Sequence, residues 1–245
     1  IREYEDAYRI KLPKRTPIII RLDGKAFHTL TKAFKRPWDE SFVYAMNRTA
    51  CKLCKEIQGA QIGYVQSDEI TVFIRNYDKY ETSPWFNNVL QKMCSVSAGI
   101  AAEAFNQSMK DQYYSNISGV FDSRVFVVPR EEVCNVFIDR QIDCIRNSKL
   151  SLGQHVMGKK FIHGMKQDQI TNLLLSEHGI DWEEELSWYK YGRVIKKIQT
   201  EELRITWEPL DQTPLFKEER DLIDNLVWPE NEEGHYSTYI GEKDE

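Results

Sequence analysis

Pro17-Ile18-Ile19-Ile20-Arg21-Leu22-Asp23-Gly24-Lys25-Ala26-Phe27-His28 is the stretch on which the reading of the fold turns. An apolar run drives into a carboxylate, then a glycine, then a lysine. Continuous Ile/Leu runs mark strands buried on both faces, whereas half-buried strands alternate. The pattern predicts a core strand over 17–22 and a polar loop over 23–28. A carboxylate at that exit is held by the strand yet open to solvent, which suits a metal ligand. A solvated Asp-Gly turn at a strand end gives the same pattern, so the stretch alone leaves both readings open.

Working outward, residues 1–16 are polar, with Arg9, Lys11, Lys14 and Arg15, and read as an edge helix or an arm. Residues 29–38 are a basic connector. Asp39 is a candidate N-cap for a helix running to about Glu56, with Phe42, Val43, Met46, Ala50 and Leu53 at helical spacing. Over 61–74, two β-rich runs flank Ser67-Asp68-Glu69 and predict a hairpin with an acidic tip. A helix is expected from about Pro84 to Asn106, with Trp85, Val89, Met93, Val96, Ile100 and Phe105 inward. A strand over 121–128 follows, stopped by Pro129.

Strand, helix, strand, strand, helix, strand is the order of a ferredoxin-like unit. A right-handed crossover makes the first two strands parallel, and the hairpin turns the third back beside the first. The end of strand one and the start of strand three then share one edge. Asp23 and Asp68 are predicted to converge there from distant parts of the chain. The fold class is thus α+β: a β-α-β-β-α-β antiparallel sheet with helices on one face.

Beyond Pro129 the pattern turns helical. One helix is expected from Glu131 to about Asn147, with Val133, Val136, Phe137 and Ile142 inward. A second runs from Lys166 to Glu177, closed by Gly179. Residues 191–198 and 203–207 read as a small hairpin. The chain divides into a catalytic part, 1–130, and a helical extension with a hairpin and an acidic tail, 131–245, forming one compact unit. The final residues read as a loose tail.

Composition bounds the function. With 245 residues, 41% hydrophobic and 12% aromatic, the chain can bury a sizeable core. No apolar run approaches the ~20 residues of a membrane span, and no signal peptide is visible. Five cysteines without framework spacing read as reduced thiols of a cytoplasmic protein; Cys51-x-x-Cys54 is the only close pair. Net charge is −5, but residues 218–245 carry ten acidic and two basic side chains, a net of −8. The remainder carries +3, a mildly basic body that permits an RNA partner.

Paired carboxylates at a sheet edge suggest Mg²⁺, which takes one or two protein carboxylates plus substrate phosphates. Two such ions can activate an attacking oxygen and stabilise a leaving pyrophosphate. The loop after Asp23 can offer backbone N–H groups to a triphosphate, and Gly24 lets that backbone come close. Lys25, Lys35, Arg36 and Lys92 are candidate phosphate neutralisers or solvated surface charges. Glu69 follows Asp68 directly, so in a strand it faces the other way. It is a catalytic candidate by position, with support of the site or a structural role as the alternatives. His28 reads as a base or ribose contact or a local hydrogen bonder, and Ser67 as a phosphate contact or a turn former.

Arg21-Leu22-Asp23-Gly24-Lys25-Ala26-Phe27-His28 and Tyr64-Val65-Gln66-Ser67-Asp68-Glu69 resemble the two hallmark motifs of the tRNA-His guanylyltransferase family. The resemblance continues through Arg36-Pro37-Trp38-Asp39, Lys92 with Ser95, Phe121-Asp122-Ser123-Arg124-Val125 and Arg140-Gln141-Ile142-Asp143-Cys144, and covers roughly residues 1–200. It implies a polymerase-like palm that adds nucleotides to the 5′ end of tRNA, after activation of that end by ATP or GTP or from a 5′-triphosphate. It implies that Asp23, the Gly24 carbonyl and Asp68 bind two Mg²⁺. Residues Asp23, Gly24, Lys25, Ala26, Phe27 and His28, with Ser67 and Asp68, would hold the nucleotide, and Arg36 and Lys92 its phosphates. It also implies a homotetramer.

One departure is informative. Eukaryotic members that add a guanylate to tRNA-His carry a His-Ile-Asn-Asn run after the Asp-Cys, where this chain has Ile145-Arg146-Asn147-Ser148. In this the chain is similar to the bacterial and archaeal guanylyltransferase-like branch, which implies templated 3′–5′ repair of truncated tRNA. Arg146 and Asn147, with Lys159, Lys160, His163 and Lys166, are then candidate RNA contacts; a helix-surface salt bridge at Arg146 and a solvated charged face are the alternatives. The competing functions are a dedicated tRNA-His guanylyltransferase, another enzyme on the same palm, and a non-catalytic RNA-binding protein.

Overall fold

A computed structural model describes residues 1–79, 81–114, 116–199 and 204–228. Leu203 of the expected hairpin and the acidic tail beyond Trp228 lie outside the described residues. A short helix α1 (Arg2–Asp6) precedes strand β1 (Ile18–Gly24), a helical turn α2 (Phe27–Leu30) and helix α3 (Glu40–Glu56). Strands β2 (Ala60–Gln66) and β3 (Glu69–Ile74), helix α4 (Leu90–Asp111) and strand β4 (Phe121–Val127) complete the expected unit. Helices α5 (Val133–Met157), α6 (Gln167–His178) and α7 (Ser187–Tyr191), strands β5 (Arg193–Gln199) and β6 (Ile205–Pro209), and helix α8 (Asp221–Val227) follow.

All six strands form one antiparallel sheet in the order β4-β1-β3-β2-β5-β6. The reason β1 is unbroken in its apolarity is now visible. Ile18, Ile20 and Leu22 pack with α3 and α4 on one face, while Ile19 packs with Phe73, Phe137 and Val194 on the other. The two palm helices share one face as expected, and α5, α8 and Phe216 cover the opposite one. The small hairpin expected from 191–198 and 203–207 forms as β5 and β6, and β5 also pairs with β2 (Val65 opposite Arg193), so the hairpin extends the palm sheet.

Two helix boundaries differ from the sequence pattern. The helix expected from Pro84 begins at Leu90, because Phe86, Asn87 and Asn88 adopt left-handed φ angles of 49°, 52° and 58° that no helix accommodates. Its buried line runs through Met93, Ser97, Ala101 and Phe105, so Val96 and Ile100 lie only at its margin. Helix α5 runs on past Asn147 to Met157, where its second half packs Leu152 against Ile162, Ile170, Leu174 and Trp182 in a satellite core. Ile142, expected inside, is 59% exposed.

Candidate active site

The edge of the sheet is where the two motifs meet. Asp23 stands opposite Glu69 in the β1–β3 register. The Gly24 N–H donates to the Asp68 carbonyl at 3.1 Å, so the motifs are joined through backbone. Ser67 turns the chain with φ 48°, and its hydroxyl donates to Asp68 Oδ1 at 3.1 Å. The glycine itself serves packing: a Cβ at Gly24 would come within 2.4 Å of the Phe27 ring. Phe27 is buried among Phe42, Phe105 and Phe121, so its side chain belongs to the core and holds the loop from beneath.

Electrostatically this edge asks for a cation. Burial raises the Asp23 pKa, and the negative charge of Asp122 raises it further against the pull of Arg124 and Arg21. Burial also raises Asp68, with Asp23 and Glu69 adding and its own backbone hydrogen bond and the Ser67 hydroxyl opposing. Among the described residues no cluster of three or more His, Cys, Asp or Glu could by itself hold a metal. Two carboxylates and a backbone carbonyl are all hard oxygen donors, and Mg²⁺ is commonly bound by so few protein ligands when substrate phosphates supply the rest. The donor set therefore fits that ion.

Glu69 lines the same cleft as Asp68 rather than facing the other way, because Asp68 sits in the turn before β3 and strand alternation starts only at Glu69. It lies 3.3 Å from Arg140 and accepts from Gln66 Nε2 at 3.1 Å. Arg140 also meets Asp139 at 2.6 Å and Asp143 at 3.7 Å. This network ties α5 to the hairpin tip.

From the carboxylates a cleft of about 360 Å³ runs between α3 and α5. Asp23, Ser67, Asp68 and Glu69 line one end, with Lys35 and Arg36 on a side wall. Val65, Phe42 and Met46 add apolar lining, and Trp38, Trp188 and Arg193 group together beside Val65, with Tyr189 next in sequence, as the end away from the hairpin tip. Asp39 fixes that wall by accepting from the N–H groups of Lys35, Ser41 and Phe42 at 3.1, 2.9 and 3.2 Å. The opposite wall is held by Tyr64, whose hydroxyl donates to the Tyr191 carbonyl at 2.8 Å. Gly192 makes room for that hydroxyl, since a Cβ there would stand 2.4 Å from it.

The remaining candidates are distributed unevenly. The N–H groups of Gly24 and Lys25 are engaged by Asp68 and Val120, so the phosphate-facing amides expected from this loop start at Ala26 and continue through Phe27 and His28. Lys25, Ala26 and His28 are exposed beside the cleft, outside its lining. Lys92 is exposed on the first turn of α4 and also outside the lining. Asn147 lines the cleft and donates to Asp143 at 3.4 Å. Arg146 pairs with Asp143 and shares a shallow surface depression with Lys166. Lys159, Lys160 and His163 are exposed in the turn between α5 and α6. Cys51 and Cys54 lie on α3, unbridged, and burial pushes the Cys51 thiol up to about 11.

The far end went unread in the sequence. Trp188, Tyr189 and Arg193 sit in a stretch rich in aromatics, which reads as core or as hairpin. Only the β2–β5 pairing brings it to the palm.

Comparison with known proteins now has a geometry to rest on. The family model described as tRNAHis guanylyltransferase matches residues 1–129. A solved structure of a bacterial tRNA(His) guanylyltransferase-like protein in complex with ATP is 38% identical, with a TM-score of 0.88 over 93% of this chain and 97% of that one. Another, of a bacterial tRNA(His) guanylyltransferase-like protein in complex with GTP, is 37% identical, with a TM-score of 0.81 over 93% and 96%. The tRNA(His) guanylyltransferase of Schizosaccharomyces pombe is 24% identical over 93% of this chain and 89% of its own length.

Proposed function

This chain belongs to the tRNAHis guanylyltransferase family of nucleotidyltransferases, and from that premise we propose that it is a template-dependent 3′–5′ nucleotidyltransferase acting on the 5′ end of truncated tRNA. The observation that carries the proposal is the backbone hydrogen bond from Gly24 to Asp68. It joins the two motifs so that the carboxylates of Asp23 and Asp68 line one cleft, of a size to take a nucleotide.

In this reading the 5′ end is first activated by ATP or GTP, or already carries a triphosphate. The 3′-hydroxyl of the incoming nucleotide attacks the 5′ α-phosphorus, a new P–O bond forms, and pyrophosphate or the activating nucleotide leaves. Asp23, the Gly24 carbonyl and Asp68 would hold two Mg²⁺, which supply charge neutralisation at the transferring phosphate. Lys35 and Arg36 face the same space and bring positive charge to the phosphates. Glu69 keeps the tip rigid through Arg140. Arg146, Asn147, Lys159, Lys160 and Lys166 lie on α5, on α6 or in the turn between them, and offer the RNA backbone a positively charged track. The assembly we propose is a tetramer, working in the cytoplasm. Among the described residues no helix is long and apolar enough to cross a membrane.

A dedicated guanylyltransferase for tRNA-His is the second reading, favoured by the name of the fission-yeast relative. Ile145 at the position of the family histidine weighs against it. The test uses a 5′-triphosphorylated tRNA lacking its first nucleotide, with Mg²⁺ and all four nucleoside triphosphates. Template-matched addition by the wild type, lost in Asp68→Ala, is the expected result. Guanylate addition to intact tRNA-His alone would move the assignment to the second reading, and inactivity on both substrates would overturn the chemistry.

A further inference from the structure

Arg193 is an anomaly in the cleft. Its guanidinium is half-buried at the far end, yet among the described residues no carboxylate lies within ion-pair distance of it, and its Nε is buried without a hydrogen-bond partner. Burial pulls its pKa down, with Asp211 opposing from further off. A desolvated guanidinium with idle donors is costly unless a planar acceptor pair meets it. It lies over the Trp188 ring, 5.7 Å from the centroid, and Trp188 stands edge-on to Trp38 at 5.1 Å. The two indoles touch each other edge to face, and they form an aromatic corner of the cleft with the Arg193 guanidinium at its rim.

Position says which part of a nucleotide arrives there. Arg193 faces Val65, three residues before Asp68 on the same hairpin. That separation is roughly 10 Å of strand. With phosphates fixed at Asp23 and Asp68, the group reaching Arg193 is the base. Asp39, which also lines the cleft, already accepts three backbone N–H groups.

We propose that Arg193 is a specificity-determining residue that reads the O6/N7 edge of a 6-oxopurine nucleotide bound in the cleft beside Trp38 and Trp188. The fork of Arg matches two acceptors side by side on guanine. Adenine presents a donor at position 6 and leaves one arm of the fork unmet. This rests on the nucleotide-binding reading above and adds to it a source of guanine preference in the activation of the 5′ end, the one step that no template directs.

The test is calorimetric titration of the full chain, with Mg²⁺, against GTP, ITP, 7-deaza-GTP and ATP. The wild type is compared with Arg193→Gln and Arg193→Lys, each verified as folded by circular dichroism. The wild type should favour GTP and ITP, which share the O6/N7 edge, over ATP. Both variants should collapse that ratio by roughly tenfold or more, within the ~5- to 150-fold of one bidentate contact. Lysine should fail to rescue, because it supplies charge without a fork. In the wild type, 7-deaza-GTP should bind more weakly than GTP. An unchanged ratio, equal weakening of GTP and ATP, or rescue by lysine would overturn the assignment and indicate a phosphate contact or a packing role. Binding of ATP but no guanine preference in the wild type sinks this inference alone, whereas binding of no nucleotide sinks the reading it rests on as well.

Discussion

The two ends of the cleft are built in opposite ways. The carboxylate end comes from two short runs, 21–28 and 64–69, locked by one backbone bond and backed by the Phe27 cluster. The aromatic end comes from Trp38 before α3, Trp188 in α7 and Arg193 at the start of β5, joined only by the tertiary fold. The carboxylates are held by one backbone bond between two neighbouring strands, whereas the aromatic end is held by pairing across most of the chain. The first should tolerate little change at its side chains, and the second little change in the contacts that assemble it.

The sharpest test of that contrast is Asp23→Asn. It keeps shape and the Gly24 backbone bond and removes one negative charge. Nucleotide addition should fall on the order of a thousandfold, while the unfolding midpoint in urea stays within experimental scatter or rises. A loss of folding instead would mean that the carboxylate end is structural.

This contrast also explains what was legible. The order of elements, the acidic hairpin tip and the meeting of Asp23 with Asp68 follow from apolar runs, turn residues and a handedness rule, all of which act over short spans. The start of α4 was misplaced because Phe86, Asn87 and Asn88 break the helix by backbone conformation, which composition does not reveal. The extra turns of α5 depend on the partners of Leu152, which come from α6 and Trp182. Arg193 was invisible as a site residue because its neighbour Val65 is set by strand pairing across most of the chain.

At the aromatic end, Asp39→Ala should cost about 1–2 kcal/mol of stability, the value of a helix N-cap. It also releases the Lys35 N–H, so nucleotide affinity should weaken along with the urea midpoint. Unchanged affinity would show that the cleft wall does not depend on this cap. Tyr64→Phe should cost about 1 kcal/mol or less, because the Tyr191 carbonyl still accepts from Gln141 Nε2 at 3.3 Å. A much larger loss by chemical denaturation would mean that the Tyr64 hydroxyl is the main tie between β2 and the far wall.

The smallest effect is a pH dependence of the carboxylate end. Burial raises Asp68, so its folded pKa lies above its unfolded one. Such a group favours folding below the unfolded pKa and loses that contribution as pH rises through the folded pKa. In chelator, the thermal midpoint of wild type relative to Asp68→Asn should therefore fall as pH rises above the ordinary carboxylate range of about 4. Added Mg²⁺ should close the gap near pH 7, and a flat difference across that rise would contradict the charge crowding inferred at the tip.

The seating of β5 beside β2 also has a consequence in time. Tyr64 and its partner Val194 are about 130 residues apart, and ribosomes add ~5–20 residues per second. For something on the order of ten seconds the nascent chain can fold its first four strands while β2 still offers an unpaired edge, open to pairing with any neighbouring chain. During that interval the carboxylates can already be in register and the far wall of the cleft has not been made. A newborn copy thus has its paired carboxylates before the far wall exists, and its most vulnerable surface is the edge against which that wall is later built.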